Sequence, residues 1–176
     1  MNKTNQFPEV DELVITTVTG INPNSALVTL DEYKSRTGMI HVSEIANTWV
    51  RDIRQFVSLG QKLVLKVVAL DRDRGYINLS LKRVKPTAKR EKINEYKNEK
   101  RANSLLNFVQ KELGATPEER NKLEQFLLEK LGLLYSAFEI ASVEGSKALI
   151  DEGIDKKWAE KIEEIAKKNL KKKEVE

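Results

Sequence analysis

The sequence has no cysteine and a single histidine, His41. The first absence excludes disulfides and thiolate metal sites, and a reducing cytoplasm is the expected setting. The second excludes a histidine-rich metal centre. No apolar run approaches the roughly 18 residues that a membrane-crossing helix needs, so no membrane partner is expected. Residues 1–6 are polar and lack the apolar heart of a signal peptide. Neither sign of charge dominates: 31 Lys and Arg face 27 Asp and Glu, a net charge of +4. That excess permits an acidic partner such as nucleic acid without requiring one. What is present is a chain of 176 residues, 40% of them hydrophobic, enough for one or two small cores.

The pattern changes at Pro86. Before it, short β-branched runs and period-two alternation predict five strands over 13–18, 26–30, 38–42, 62–70 and 76–81. Gly20 to Asn24 read as a turn, Ser43-Glu44-Ile45 as a short helical turn, and Asp71 to Gly75 as a hairpin with Gly75 free to adopt positive φ. The polar connection over 46–59 is long for a small domain, which marks it as functional. Five strands with one long connection between the third and fourth suit a closed OB-type barrel. After Pro86 the period is helical. A helix is predicted over 88–113, with Ile93, Tyr96, Leu105, Leu106, Val109 and Leu113 as its apolar stripe. Thr116-Pro117-Glu118-Glu119 is a capping box that opens a second helix burying Leu123, Phe126, Leu127 and Leu131. A third helix runs from Leu134 to Gly145, a short one spans 146–151, and a last one over 155–170 buries Trp158, Ile162 and Ile165. The charged tail, 171–176, is expected to fray. The expected architecture is an all-β, five-stranded OB-fold barrel over 1–85 followed by an all-α domain over 86–176.

Gly38-Met39-Ile40-His41-Val42-Ser43-Glu44-Ile45 carries a glycine, two hydrophobics, a histidine, a hydrophobic and then Ser-Glu. Gly60 to Asp71 carries a long strand with Lys66-Val67 at its centre, and Ile77-Asn78-Leu79-Ser80-Leu81-Lys82 closes the segment. In this order the three stretches resemble the S1 RNA-binding domain. Phe7-Pro8-Glu9-Val10-Asp11-Glu12, Asp31-Glu32-Tyr33, Thr48 to Arg54, and Gly75 to Ser80 followed by Arg83-Val84 narrow the resemblance. Together with the helical domain directly behind, they look like the alpha subunit of translation initiation factor 2 of archaea and eukaryotes, archaeal in type, over residues 7–170. The resemblance implies a non-catalytic subunit that contacts RNA in a heterotrimer with a GTP-binding gamma subunit and, through it, a beta subunit. That assembly brings methionylated initiator tRNA to the small ribosomal subunit. Family members continue into a third, α/β domain that docks on gamma, so a truncated chain is expected. Counted from Ser43-Glu44, the resemblance puts the position of the regulatory serine of eukaryotic members at Asp52, which offers no hydroxyl to a kinase.

Candidate contact residues follow. His41 lies on the strand face that OB barrels use for RNA, where an imidazole stacks on a base or bonds a phosphate; a half-buried histidine tied to the barrel backbone is the equal alternative. S1 domains usually place an aromatic where this chain has Leu27, and leucine has no π-face, so the barrel alone is expected to hold single-stranded RNA weakly. Tyr33 is the nearest other aromatic, although packing against a loop is its commoner use. In the long connection, Trp49, Val50, Ile53 and Phe56 are expected to pin the loop, while Arg51 and Arg54 are either phosphate contacts or solvated surface. The most basic stretch is Lys82, Arg83, Lys85, Lys89, Arg90, Lys92, Lys97, Lys100 and Arg101. Glu91, Glu95 and Glu99 sit at spacings that favour pairing within the helix. Lys82, Lys85, Lys89 and Arg90 remain as candidates to grip a tRNA backbone, and such binding is salt-sensitive. No cofactor or metal is expected. Asp71 and Asp73 are flanked by Arg72 and Arg74, and there is no phosphate-cradling glycine loop, no serine–histidine pattern and no nucleotide motif. Enzymatic activity is therefore not expected, and a purely protein-binding module of the initiation complex is the alternative reading.

Overall fold

The computed structural model describes residues 7–33 and 36–170, and the tail expected to fray lies outside them. The chain forms two compact units, Met1–Tyr96 and Lys97–Glu176.

The first unit is a closed barrel of five strands: β1 (Leu13–Asn22), β2 (Ser25–Leu30), β3 (Arg36–His41), β4 (Lys62–Asp71) and β5 (Tyr76–Ser80). Their order around the barrel is β1-β2-β3-β5-β4, with β3 and β5 parallel and the other pairs antiparallel. This is the expected OB-type architecture. Alternation puts Ala26, Val28, Leu30, Ile40, Leu65, Val67, Ile77 and Leu79 into the core, while their neighbours in sequence point outward. β1 is longer than the 13–18 expected because a bulge between Val18 and Gly20 absorbs the irregularity and pairing resumes to Asn22↔Ser25. A second bulge lies between Val67 and Ala69 of β4. Each bulge adds the local twist that a small barrel needs to close. Thr16 is fully buried between two strands, and its hydroxyl donates to the Leu63 carbonyl at 3.0 Å. Gly75 adopts φ 74° in the β4–β5 hairpin, a conformation that glycine reaches without strain.

Helix α1 (Pro86–Leu113) starts two residues before the expected 88, because proline is compatible with the first helical position, where its missing N–H has no partner to lose. Within the first unit the start of α1 is tied down by Lys92, whose ammonium meets Glu32 at 3.2 Å. The same Glu32 carboxylate accepts the Ile15 N–H.

The second unit contains the rest of α1 with α2 (Pro117–Leu131), α3 (Leu134–Glu144), α4 (Ser146–Asp151) and α5 (Lys156–Leu170). Thr116 and Glu119 form the expected capping box, each side chain bonding the other's backbone N–H. The core holds Ala102, Leu106, Val109, Leu127, Leu134, Phe138, Ala141, Leu149, Ile162 and Ala166, all fully buried. Two polar residues are buried with them. Glu99 accepts the N–H groups of Leu134 and Tyr135 at 3.1 and 2.9 Å, and so caps α3, whose own Leu133 has no capping side chain. Arg120 donates to Asn103, Asn107 and Glu124, which satisfies its guanidinium.

Candidate nucleic-acid interface

The outer wall of the barrel is set by strand register. Leu27 of β2 pairs with Met39 of β3, Met39 with Asn78 of β5, and Asn78 with Ala69 of β4. These four residues form one row on the outward face. Leu27 is 41% exposed, so the position where S1 domains usually carry an aromatic is open to solvent and holds only an aliphatic side chain. His41, two residues beyond Met39, is exposed. Its Nδ1 accepts the Ser43 N–H at 3.1 Å and lies 2.8 Å from the Ser43 hydroxyl oxygen, capping the 3-10 turn Val42–Glu44. The expected tie to the backbone is present, but the ring is exposed rather than half-buried. One nitrogen is committed to the backbone and orients the ring, while Nε2 has no partner among the described residues.

Tyr33 does not join this face. It is 2% exposed and its hydroxyl donates to the Glu12 carboxylate. Burial, reinforced by the Glu12 hydrogen bond and charge, pushes its ionisation well above the ordinary tyrosine value. A ring with no exposed surface offers a base nothing to stack on.

The long connection after β3 is anchored by Ile45, Ile53 and Val57, all buried in the barrel core. It contains a second 3-10 turn, Ile53–Gln55, which the expected loop lacked; Asp52 caps it by accepting the Arg54 N–H at 3.0 Å. The expectation for Trp49 is overturned. Its indole is 84% exposed, because the aliphatic residues farther along already fill the space beneath the loop. Phe56 is also exposed, at 40%. Arg51 and Arg54 are exposed as well, with no carboxylate partner among the described residues.

The basic stretch separates into two groups. Arg83 forms a two-pronged bond with Glu44, Nε to Oε2 at 3.1 Å and a terminal nitrogen to Oε1 at 3.0 Å. Burial opposes the Glu44 charge, yet the Ser80 and Arg83 hydrogen bonds hold its carboxyl below the usual range. Lys92 is half-buried and satisfied by Glu32, with Glu95 at 3.9 Å. Lys85, Lys89 and Arg90 stand exposed on the approach to α1 and its first turns, with no ion pair among the described residues. Lys82 is half-buried. The geometry therefore sorts structural cations from available ones, which sequence spacing alone could not do. Among the described residues no group of three or more His, Asp or Glu is placed to hold a metal ion, and no helix is long and apolar enough to cross a membrane.

Sequence reasoning missed Tyr76 and Asn78. Both are exposed on β5, and the alternation Tyr76-Ile77-Asn78-Leu79, with Ile77 and Leu79 facing the core, was sufficient to place them outward.

Comparison with known proteins agrees with this architecture. The S1 RNA binding domain family matches residues 8–82, and the family described as eukaryotic translation initiation factor 2 alpha subunit matches residues 120–176. Translation initiation factor 2 subunit alpha of Methanopyrus kandleri is 41% identical over 170 residues, covering 96% of this chain and 64% of that protein. The subunit of Methanothermobacter thermautotrophicus is 36% identical over 177 residues, covering 100% of this chain and 68% of its own length. The chain thus spans about two thirds of these relatives. The a/eIF2alpha chain from Pyrococcus horikoshii OT3, solved in a complex with aDim2p and rRNA, superimposes with a TM-score of 0.84 at 35% identity, covering 93% of this chain and 98% of that one. The intact alpha subunit of aIF2 from Pyrococcus abyssi gives the same TM-score and identity and covers 93% of this chain and 63% of that one. With an S1 barrel at its front, helices behind it and relatives of this kind along its whole length, the chain belongs to the alpha-subunit family of translation initiation factor 2.

Proposed function

We propose that this chain is a non-catalytic, RNA-contacting part of translation initiation factor 2. In this reading the factor's gamma subunit handles GTP, a beta subunit completes the trimer, and the assembly delivers methionylated initiator tRNA to the small ribosomal subunit. The barrel and the helices behind residue 85 act as an arm on that RNA. The observation that carries the reading is the set of exposed cations on the barrel unit, Lys85, Lys89, Arg90, Arg51 and Arg54, which have no carboxylate partner among the described residues. Unneutralised guanidinium and ammonium groups release counterions when they meet phosphates, and each such pairing makes affinity fall as salt rises. His41 adds a ring nitrogen with no partner among the described residues, on a ring already oriented by Ser43. A solved relative held with rRNA is consistent with RNA as the partner.

The test uses the trimer assembled with a full-length alpha subunit carrying Lys85→Glu, Lys89→Glu and Arg90→Glu. Affinity for aminoacylated initiator tRNA falls. The slope of log affinity against log salt becomes shallower by about 0.7–0.9 for each phosphate that is no longer neutralised. The competing reading is a protein-binding module, favoured by the exposed Trp49 and by Leu59 at 67% exposure. It requires unchanged tRNA affinity and an unchanged slope.

A further inference from the structure

Tyr76 presents a ring that folding does not use. It is 62% exposed, while Ile77 and Leu79 on the same strand fill the barrel core at 2% and 1%. Its side chain has no hydrogen-bond or ion-pair partner among the described residues, and neither does Asn78 two positions along the same face. Strand geometry puts the two side chains about 7 Å apart along β5. Around Asn78 the wall is apolar and uncharged: Asn78 lies between Met39 and Ala69, and Met39 lies beside Leu27, while Tyr76 pairs across the hairpin with Asp71. At the hairpin end, Arg72 and Arg74 are exposed, with Arg74 only loosely drawn to Asp71 at 3.9 Å.

We propose that Tyr76 and Asn78 form a base-binding position for single-stranded RNA, the ring stacking on one unpaired base and the Asn78 amide hydrogen-bonding its edge. This inference rests on the RNA-contacting function proposed above and specifies one place where it acts. Stacking needs a flat, exposed π-face, and an unpaired base offers donors and acceptors along its edge that an amide can match. Leu27 cannot supply that face, so the stacking role that S1 barrels usually give to the β2 side moves to β5. The parallel pairing Met39↔Asn78 sets His41 level with Ser80. His41 therefore lies four residues from Tyr76 in strand direction, about 13 Å. A base on Tyr76 and a base on His41 are separate positions, and the site calls for a strand of several nucleotides rather than a mononucleotide. Arg72 and Arg74 at the hairpin are placed for the backbone phosphates that flank the first base.

The experiment is fluorescence anisotropy of this chain with end-labelled 12-nucleotide RNAs made only of A, only of C or only of U, at fixed low salt. Tyr76→Ala and Tyr76→Leu each weaken binding by about 5- to 150-fold, the range for removal of one base–aromatic stack, whereas Tyr76→Phe stays within about twofold of the unaltered chain. Tyr76→Leu keeps the apolar bulk, so its weaker binding reports the ring itself, and unchanged melting temperatures confirm intact barrels. Asn78→Ala narrows the spread of affinities among the three RNAs. Binding by the unaltered chain that Tyr76→Ala and Tyr76→Leu leave intact would overturn the stacking assignment and would leave the broader RNA function standing. An unchanged spread in Asn78→Ala would overturn the edge contact. No RNA binding by the unaltered chain would overturn this inference, whereas the function beneath it fails only if the trimer titration shows no change.

Discussion

Replacing Gly38 with alanine tests why a glycine opens the segment that carries His41. Gly38 is buried in β3, opposite Val28, with its missing side chain aimed into the barrel. A Cβ there would lie 2.7 Å from Leu79 Cδ1, 3.2 Å from Leu30 Cδ1 and 3.3 Å from the Ile77 carbonyl oxygen. The first of these distances is too short for any carbon pair, and Leu30 and Leu79 are 0% and 1% exposed, so neither can retreat toward solvent. Forcing a methyl into a filled core costs about 1–3 kcal/mol. Alanine also stiffens the unfolded chain, which offsets about 0.4–1 kcal/mol, leaving a net destabilisation of about 1–2 kcal/mol. For a unit of this size that corresponds to a melting point lower by roughly 5–15 °C. Amide NMR signals of β3 and β5 followed against temperature measure it, with the signals of α3 and α5 as an internal reference that does not shift. A Gly38→Ala barrel that melts at or above the unaltered temperature would refute the packing argument. The consequence reaches function, because any yielding of β3 displaces Met39 and His41 on the outer face.

Two further outcomes follow from the helical unit. Glu99→Ala removes the acceptor for the Leu134 and Tyr135 N–H groups and costs about 1–3 kcal/mol for each buried donor left unsatisfied, read by chemical denaturation of the α3 signals; Glu99→Gln recovers part of this by keeping one acceptor oxygen. Glu163 accepts from Lys167 and the Ser146 N–H, and the Lys167 bond, then the Ser146 bonds, depress its carboxyl to about 2. A depressed carboxyl stabilises the fold above its ordinary ionisation range and loses that contribution as pH falls. Between pH 4.5 and 2 the α4–α5 region therefore loses on the order of 1 kcal/mol, the scale of one charge at a helix start, measured as acid unfolding that Glu163→Gln makes flatter.

The strands and most helices were legible because each follows a single local rule. Period-two alternation marked Ala26, Val28 and Leu30 as one face, and Thr116 to Glu119 announced a helix start by capping chemistry alone. Pairings distant in sequence were not legible. The burial of Tyr33 depends on Glu12, and the neutralisation of Lys92 depends on Glu32, and neither partner lies within a helical turn of the residue it satisfies. The exposure of Trp49 is illegible in the sequence for a related reason. An apolar residue in a loop carries no periodicity to show its direction, and Ile53 and Val57 had already taken the anchoring positions. On the face itself, His41 was visible through its motif. The strand pattern places Tyr76 and Asn78 outward, but exposure on a strand alone does not distinguish a contact residue from ordinary surface.

The most direct test of the central claim, that the outer wall of the barrel unit contacts RNA, is a backbone-amide NMR titration of this chain with single-stranded RNA. The account predicts shifts concentrated at Met39 to His41, Tyr76 to Asn78, and Lys85 to Arg90, with the buried α3 and α5 signals at Phe138 and Ile162 unmoved. Shifts absent from those three stretches at saturating RNA, or confined to the helical unit, would contradict it.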